Sequence, residues 1–153
     1  MKKTFLLFLL IIMMIPLYTM VAFSVDECNI EYEFFEDGSY AVIVIQKETP
    51  LLAKSGSVTE TKTYKYYDNN HNLDWTASIT ASFTYNGTTA ICTYVSKSTP
   101  IKDSSWRCTA ASCNKSGATA TGNFTFKNYV LGVPVKTINK TLTLTCSPNG
   151  TIT

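Results

Sequence analysis

The longest regular pattern in the chain runs from Leu73 to Tyr85, where apolar or small residues alternate strictly with polar ones. This period of two predicts a long β-strand with one buried face and one wet face. Asn86-Gly87 follows at once and suits a two-residue type I′ turn, so the chain should return as a hairpin. Counted from that turn, the opposing pairs are Tyr85 with Thr88, Phe83 with Ala90, Ala81 with Cys92, and Ile79 with Tyr94.

A second hairpin is predicted near the N-terminus. Alternation over residues 28–35 leads to Asp37-Gly38, another tight-turn dipeptide, and an apolar run follows. Counted from that turn, one buried face consists of Phe34 with Ala41, Tyr32 with Ile43, and Ile30 with Ile45. Acidic residues dominate this part of the chain, where Lys47 is the single basic residue. Residues 25–50 are therefore an acidic hairpin that lies beside the main sheets of residues 51–153, or an acidic patch for a partner.

Further strand patterns continue to the C-terminus, separated by turn signals. They cover residues 59–67, 90–100, 106–113, 118–127 and 137–146, with a change of apolar phase between Cys108 and Cys113 that implies a bulge. No sustained helical period occurs after the N-terminal apolar run. About eight strands indicate an all-β protein: a single antiparallel β-sandwich, immunoglobulin-like in architecture, with a small β-barrel as the alternative.

The N-terminus has the pattern of a secretory signal peptide. Met1-Lys2-Lys3 precedes an apolar run and the small residues Ala22 and Ser24, so cleavage after residue 24 is expected, and an uncleaved anchor is the alternative. Residues 25–153 then form one secreted, extracellular domain. Without Lys2 and Lys3 that domain has 11 basic and 11 acidic residues, so no global field attracts nucleic acid or, after cleavage, membranes.

An ordered series of short motifs covers essentially the whole mature chain. It consists of YEFFEDGSY at 32–40, FTYNG at 83–87 with Cys92, then Trp106, KSGATA at 115–120, and LTLTC at 142–146. The series resembles a group of small, uncharacterised proteins secreted by clostridium-like Gram-positive bacteria. The resemblance implies a bacterial, extracellular protein and supplies no activity. Cys28, Cys108 and Cys113 depart from the shared pattern.

Five cysteines in an extracellular chain are candidates for disulfides. Cys92 and Cys146 both fall on buried faces of long strands, so this pair is predicted first, and the link would contribute about 4 kcal/mol. Cys108 and Cys113 would close a shorter loop, although the change of phase between them could also separate them. Cys28 is left over, either as a free thiol or as the link of a disulfide-bonded dimer.

Catalytic and metal-binding patterns are weak. The single histidine, His71, lies in an Asn-rich loop without a nucleophile motif, so neither an enzyme nor a cofactor is expected. Four oxygen-bearing residues occupy alternate positions: Asp68, Asn70, Asn72 and Asp74. They resemble the first ligands of a calcium loop, but Leu73 and Ile79 stand where its glycine and bidentate glutamate belong. A plain polar loop is the expectation, with a weak calcium-stabilised loop as the alternative.

Aromatic residues form the best candidate for a contact surface, because tyrosine and phenylalanine are favoured at interfaces. The candidates are Tyr64, Tyr66, Tyr67, Phe35 and Tyr40. Packing in the core is the alternative explanation for them. The sequence thus predicts a secreted, non-catalytic β-sandwich that binds an unknown extracellular protein or glycan. A small secreted antagonist, such as a bacteriocin-like toxin or an enzyme inhibitor, is the alternative function.

Overall fold

The computed structural model describes residues 28–46 and 55–153. The expected signal peptide, residues 1–24, lies outside them, as does most of the irregular connection around residue 50. The eight strands are β1 (Cys28–Phe34), β2 (Tyr40–Gln46), β3 (Gly56–Tyr67), β4 (Leu73–Tyr85), β5 (Ala90–Ser98), β6 (Trp106–Ser116), β7 (Thr119–Val130) and β8 (Val133–Thr145). A search of these residues finds no helix with the length and apolar character needed to cross a membrane.

Two antiparallel sheets make up the fold, one with the order β1-β2-β3-β4-β5 and one with the order β6-β7-β8. They pack face to face, and in the described residues neither sheet closes on itself. The predicted all-β sandwich with about eight strands is therefore confirmed. It shares the two-layer architecture of immunoglobulin domains but not their Greek-key connections, because within each sheet the strands pair in the order in which they occur in the sequence.

An aromatic cluster joins the two sheets. Trp75 of β4 stacks on Phe126 of β7 with the ring centroids 3.7 Å apart. Tyr66 and Tyr64 of β3 flank Trp75 at 5.0 and 5.5 Å, and Trp106 of β6 lies 5.8 Å away. All five side chains are buried. Stacked and edge-on rings add to the stabilisation that burial of their large apolar surface provides.

Strand β4 begins and ends where the alternation predicts, and it buries every odd position from Trp75 to Tyr85. The turn that follows is different from the predicted one. The main-chain amide of Asn86 donates to the Thr89 carbonyl at 3.1 Å, and the Asn86 side-chain oxygen accepts the amides of Thr88 and Thr89. This asparagine side chain closes a four-residue loop over residues 86–89 in place of a two-residue turn.

The longer loop shifts the register between β4 and β5 by two residues. Tyr85 pairs with Ala90 and Phe83 with Cys92, so the predicted pairing of Ala81 with Cys92 is wrong. A shift of two keeps the buried face unchanged. A bulge opposite Ser82 and Phe83 then reverses the alternation in β5, and Tyr94, expected in the core, is 57% exposed.

The register of the β1–β2 hairpin is displaced by one residue. Ala41, Ile43 and Ile45 of β2 face the core as predicted, but the β1 half of the predicted buried face is wrong. Phe34 pairs with Tyr40 across a five-residue loop, in which the Phe35 amide donates to the Ser39 carbonyl at 3.0 Å. Relative to β2, a displacement of one residue moves every side chain of β1 to the opposite face. Ile30, Tyr32 and Phe34 therefore lie on the outer face of the sheet, where Tyr32 is 60% and Phe34 77% exposed.

Two ion pairs across the sandwich help to explain this register. Glu33 points inward, where its Oε2 accepts hydrogen bonds from Tyr64 Oη at 3.0 Å and from Lys140 Nζ at 2.5 Å. Lys136 pairs in the same way with Asp37 in the β1–β2 loop. Lys140 lies between the buried Ile138 and Leu142 in β8, and its countercharge comes from the terminal strand of the opposite sheet.

The change of phase in β6 is a bulge, as predicted, because the register shifts between Cys108 and Ala110. The predicted Cys108–Cys113 disulfide is wrong, because both cysteines lie in the same extended strand, β6. Their partners in β7 are Phe126 and Gly122, and an extended strand separates such positions by about 13 Å. A disulfide requires Cα atoms within about 7 Å.

Candidate functional site

One end of the sandwich carries a cleft of about 340 Å³, which we call the acidic cleft. It lies between the connections β1–β2, β3–β4, β5–β6 and β7–β8, which alternation of strand direction brings to the same end. Its lining consists of Asp37, Ser39, Tyr66, Asp68, Asn69, Asp74, Asp103, Trp106, Asn128, Val135 and Lys136. Four carboxylates and one ammonium group thus face a common space with two aromatic side chains.

Asp74 lies in the cleft because of a β-bulge. Tyr66 pairs with Trp75 and Tyr67 with Leu73, so Asp74 is the extra residue between them. Bulges redirect side chains. The alternation places Asp74 on the wet face, but its side chain is only 5% exposed and accepts a hydrogen bond from the Trp106 indole. Burial, followed by the nearby charges of Asp103 and Asp68, raises the pKa of Asp74 to about 6.

Lys136 connects three elements at the floor of the cleft. Its ammonium group pairs with Asp37 and donates to Tyr66 Oη at 2.6 Å and Ser39 Oγ at 3.2 Å. Hydrogen bonds from Lys136 and Ser39 lower the pKa of Asp37 to about 2. Burial alone would lower the pKa of Lys136, but the hydrogen bonds to Asp37 and Tyr66 outweigh it and raise this pKa. The network ties the β1–β2 loop to β8.

Of the predicted metal ligands, Asp68 and Asp74 line the cleft, whereas the side chains of Asn70 and Asn72 are exposed in the β3–β4 loop. Asp68 closes that loop: its carboxylate accepts the amides of Asn70 and Asn72 at 2.9 and 2.7 Å and the Asn72 side chain at 3.0 Å. These bonds lower the pKa of Asp68, with the Asn72 side chain contributing most. The part of the chain that the structure describes contains no cluster of three or more His, Cys, Asp or Glu suited to a metal ion.

The five aromatic candidates separate into two groups. Tyr64 and Tyr66 are buried in the core, so they cannot form a contact surface, and Phe35 packs edge-on against Tyr66 at 5.6 Å. Tyr40 and Tyr67 are half-buried on the outer face of the five-stranded sheet and stack with their centroids 5.0 Å apart. His71 lies beside them, 5.6 Å from the Tyr40 ring.

Tyr32 and Phe34, which were predicted to lie in the core, extend this pair into a row on the outer face. Phe34 lies 6.2 Å from Tyr40 and 6.3 Å from Tyr32. We call Tyr32, Phe34, Tyr40 and Tyr67 the aromatic row. With the exposed Ile30 at its end, the row forms a continuous apolar surface on the outer face beside the terminal strand β1.

No protein-family model matches the chain, and no curated protein is significantly similar to it. Among solved structures, the 2.75 Å crystal structure of the hypothetical protein lmo2686 from Listeria monocytogenes EGD-e is similar with a TM-score of 0.40. The two chains are 16% identical, and the similarity covers 80% of this chain and 92% of the Listeria chain. A similarity of this degree indicates neither a family nor a function.

The raised pKa of Asp74 leads to a test of the cleft. The folded state holds the Asp74 proton more tightly than the unfolded state, so the protein should lose stability as the pH rises from about 4 to about 6. Because the carboxylate borders an open cleft, we expect a loss of about 1–2 kcal/mol in the free energy of unfolding. In Asp74→Asn, which still accepts the Trp106 hydrogen bond, this loss should disappear.

Urea titrations at several pH values across that window measure the effect. Asp103→Asn is the matched control: it removes only the neighbouring charge, so the loss should become smaller but persist. Asp37, whose pKa is lowered, contributes stability in the opposite sense as the pH rises toward the lower end of this window. This contribution is common to the wild type and both variants and cancels from the comparison. An unchanged pH dependence in Asp74→Asn would assign it to another group.

Proposed function

We propose that this protein is a secreted, non-catalytic module that binds an extracellular protein through the aromatic row. The observation that carries the proposal is the exposure of Phe34 and Tyr32 next to each other on the outer face of the five-stranded sheet. Single exposed apolar residues are ordinary on protein surfaces, whereas a continuous apolar surface marks an interaction site. Aromatic residues are the type most enriched at such sites.

The arrangement of the rings favours a protein partner over a glycan. The Tyr40 and Tyr67 rings are 6° from parallel at 5.0 Å, and those of Tyr32 and Phe34 are 12° from parallel. Tyr40 and Tyr67 stack on each other, so the faces that they turn toward each other are not open to a ligand. A sugar ring binds to an open aromatic face, whereas apolar side chains of a protein also pack against ring edges.

The position of the row next to β1 supports the same partner class. β1 is the terminal strand of its sheet, so within the described residues its outer main-chain groups have no strand partner. An extended segment of another protein can add to such an edge, and alternate side chains then give specificity. A segment paired with β1 would lie directly beside Ile30, Tyr32 and Phe34.

Contacts in the acidic cleft support binding over catalysis. Asp37 is paired with Lys136, Asp68 closes its own loop, and Asp74 accepts from Trp106. His71 lies beside Tyr40 on the outer face and not among the cleft residues. Each of these carboxylates therefore already has a structural partner.

A comparison of two matched variants tests the proposal. Proteins recovered from culture medium on the immobilised domain are identified by mass spectrometry, and the affinity of the recovered protein is then measured with purified components. Tyr32→Ser/Phe34→Ser should weaken this affinity at least about tenfold. Tyr94→Ser, which removes an equally exposed tyrosine from β5 on the same sheet, should leave it unchanged. Equal binding by both variants, or recovery of polysaccharide alone, would contradict the proposal.

The secreted form is also proposed to contain the Cys92–Cys146 disulfide. Cys92, Cys108, Cys113 and Cys146 are free thiols in this structure. However, the Cys92 amide donates to the Gly117 carbonyl at 2.8 Å, and the Cys146 amide donates to the adjacent Ala118 carbonyl at 3.0 Å. Both side chains are buried beside this turn, and the proximity of Cys92 contributes, after burial, to the raised pKa of Cys146.

Thiol titration and intact mass of the secreted protein test this disulfide. We expect the loss of two thiol hydrogens, an N-terminus at Val25, and a decrease of about 4 kcal/mol in stability on reduction. Cys92→Ala should lose the same stability without reductant, whereas Cys108→Ala should remain sensitive to it. A non-reducing gel separately tests the Cys28-linked dimer; the Cys28 side chain lies outside the described residues. Full thiol reactivity of the folded, secreted protein would contradict the disulfide.

A further inference from the structure

The connection between β7 and β8 is an apolar hairpin tip, which consists of Val130, Leu131, Gly132 and Val133. Val130 pairs directly with Val133, so only Leu131 and Gly132 form the turn. Their φ angles are +49° and +81°, as a type I′ turn requires. Asn, Asp and Gly are the residues that this turn favours, and leucine at positive φ is uncommon. The turn therefore carries a leucine where the backbone favours a small polar residue.

The side chains of the tip project into solvent. Leu131 is 100% exposed, and Val130 and Val133 on either side of it are exposed as well. Val135, the extra residue of the bulge that follows, is a further exposed aliphatic side chain. None of these side chains belongs to the core or packs against it, although Val135 also borders the acidic cleft.

Cationic and aromatic side chains lie directly behind the tip. Arg107 of β6 and Lys127 of β7 are neighbours in register on the outer face of the three-stranded sheet. The Arg107 guanidinium lies 5.0 Å from the ring centroid of Tyr129, which precedes the tip. Among the described residues, neither cation has a carboxylate within salt-bridge distance.

From these observations we infer that the hairpin tip inserts into a lipid surface whose headgroups carry anionic phosphate. From the tip inward, the side chains are aliphatic, then aromatic, then cationic. The interface of a bilayer has the same sequence of environments, from acyl chains to the headgroup boundary and the phosphates. The whole domain has no net attraction for a membrane, and the acidic cleft lies at the same end of the sandwich. Insertion therefore requires an orientation in which Arg107 and Lys127, on the outer face of the three-stranded sheet, approach the headgroups.

The size of the tip favours lipid over a protein pocket. A stable protein interface buries about 800 Å² on each partner. The aromatic row can reach that area together with the edge of β1, whereas the projecting two-residue turn offers only a few aliphatic side chains. A single acyl chain, by contrast, is sufficient for reversible membrane binding with an association constant on the order of 10⁴ M⁻¹. The tip provides a comparable amount of apolar surface, and the two cations add to it on anionic vesicles.

Sedimentation with lipid vesicles tests the inference. The probes are vesicles of equal parts phosphatidylglycerol and phosphatidylcholine, and vesicles of phosphatidylcholine alone. We expect the wild-type protein to bind the mixed vesicles, and Leu131→Asn to bind them at least about tenfold more weakly. Asparagine favours positive φ, so this variant should retain or increase thermal stability, which separates loss of binding from loss of folding. The N-terminal segment is the same in all variants, so their differences report the tip.

Two further variants locate the effect. Ile91→Asn changes an exposed aliphatic residue at the opposite end of the sandwich and should leave vesicle binding unchanged. Arg107→Gln/Lys127→Gln should abolish the preference for phosphatidylglycerol. Failure of the wild type to bind either vesicle, or equal binding by Leu131→Asn, would overturn the inference. The inference would also be overturned if Tyr32→Ser/Phe34→Ser lost vesicle binding while Leu131→Asn retained it, because the aromatic row would then be the membrane contact.

Discussion

Gly122→Ala is expected to destabilise the domain by about 3 kcal/mol, although it adds a single methyl group. Gly122 of β7 faces β4 at a close approach of the two sheets. A Cβ atom there would lie 2.3 Å from Cγ2 of Ile79 and 2.9 Å from the Phe124 ring. Both neighbours are buried, so neither can move without displacing other core side chains.

Chemical denaturation of a double-mutant cycle measures this effect. Ile79→Ala alone creates a cavity and should cost about 3 kcal/mol. Combined with Gly122→Ala, it removes the atom that the new methyl group meets. The double variant should therefore be more stable than the sum of the two losses predicts, by at least about 1 kcal/mol. Additive losses would mean that the sheets separate to accommodate the methyl group.

Trp75→Ala is expected to have the larger effect, a loss of about 4 kcal/mol, near the upper end for core truncations. Trp75 is fully buried, and it contacts rings from both sheets, including Phe126 at 3.7 Å and Tyr66 at 5.0 Å. Its removal leaves a large cavity where the sheets meet. Urea denaturation measures the loss, and near-ultraviolet circular dichroism reports the loss of ring packing.

Two substitutions serve as controls for Trp75→Ala. Phe34→Ala truncates an exposed ring and should change stability by no more than about 0.5 kcal/mol. Trp75→Phe should cost less than Trp75→Ala, because in the described residues the buried Trp75 indole nitrogen has no hydrogen-bond acceptor to lose. A Trp75→Ala protein as stable as Phe34→Ala would show that the sheets do not depend on this cluster.

The alternation of residues predicts the strands because burial of one sheet face imposes a period of two on the sequence. Both ends of β4 follow from it. Registers depend on a different quantity, the length of each turn, and single polar contacts decide that length. Hydrogen bonds to the Asn86 side chain lengthen the β4–β5 loop by two residues. The five-residue loop before Tyr40 displaces the register of β1 and β2 by one residue.

The candidate site was predictable only in part for the same reason. Tyr40 and Tyr67 follow from their residue type, but Tyr32 and Phe34 depend on a register in which an inward Glu33 meets Lys140 of the other sheet. Strand alternation alone favours burial of the apolar set, so it selects the wrong face. The acidic cleft combines four loops, and Asp74 enters it through a bulge that no residue in the sequence marks.

The order of the strands has a consequence for folding speed. Because each strand pairs only with neighbours in the chain, every pair of strands encloses no more than the turn or loop between them. The contact order is therefore lower than in β-sandwiches whose sheets exchange distant strands, and we expect this domain to fold faster than they do. All the strands of the five-stranded sheet precede β6 in the chain, so that sheet can form without the strands of the other sheet.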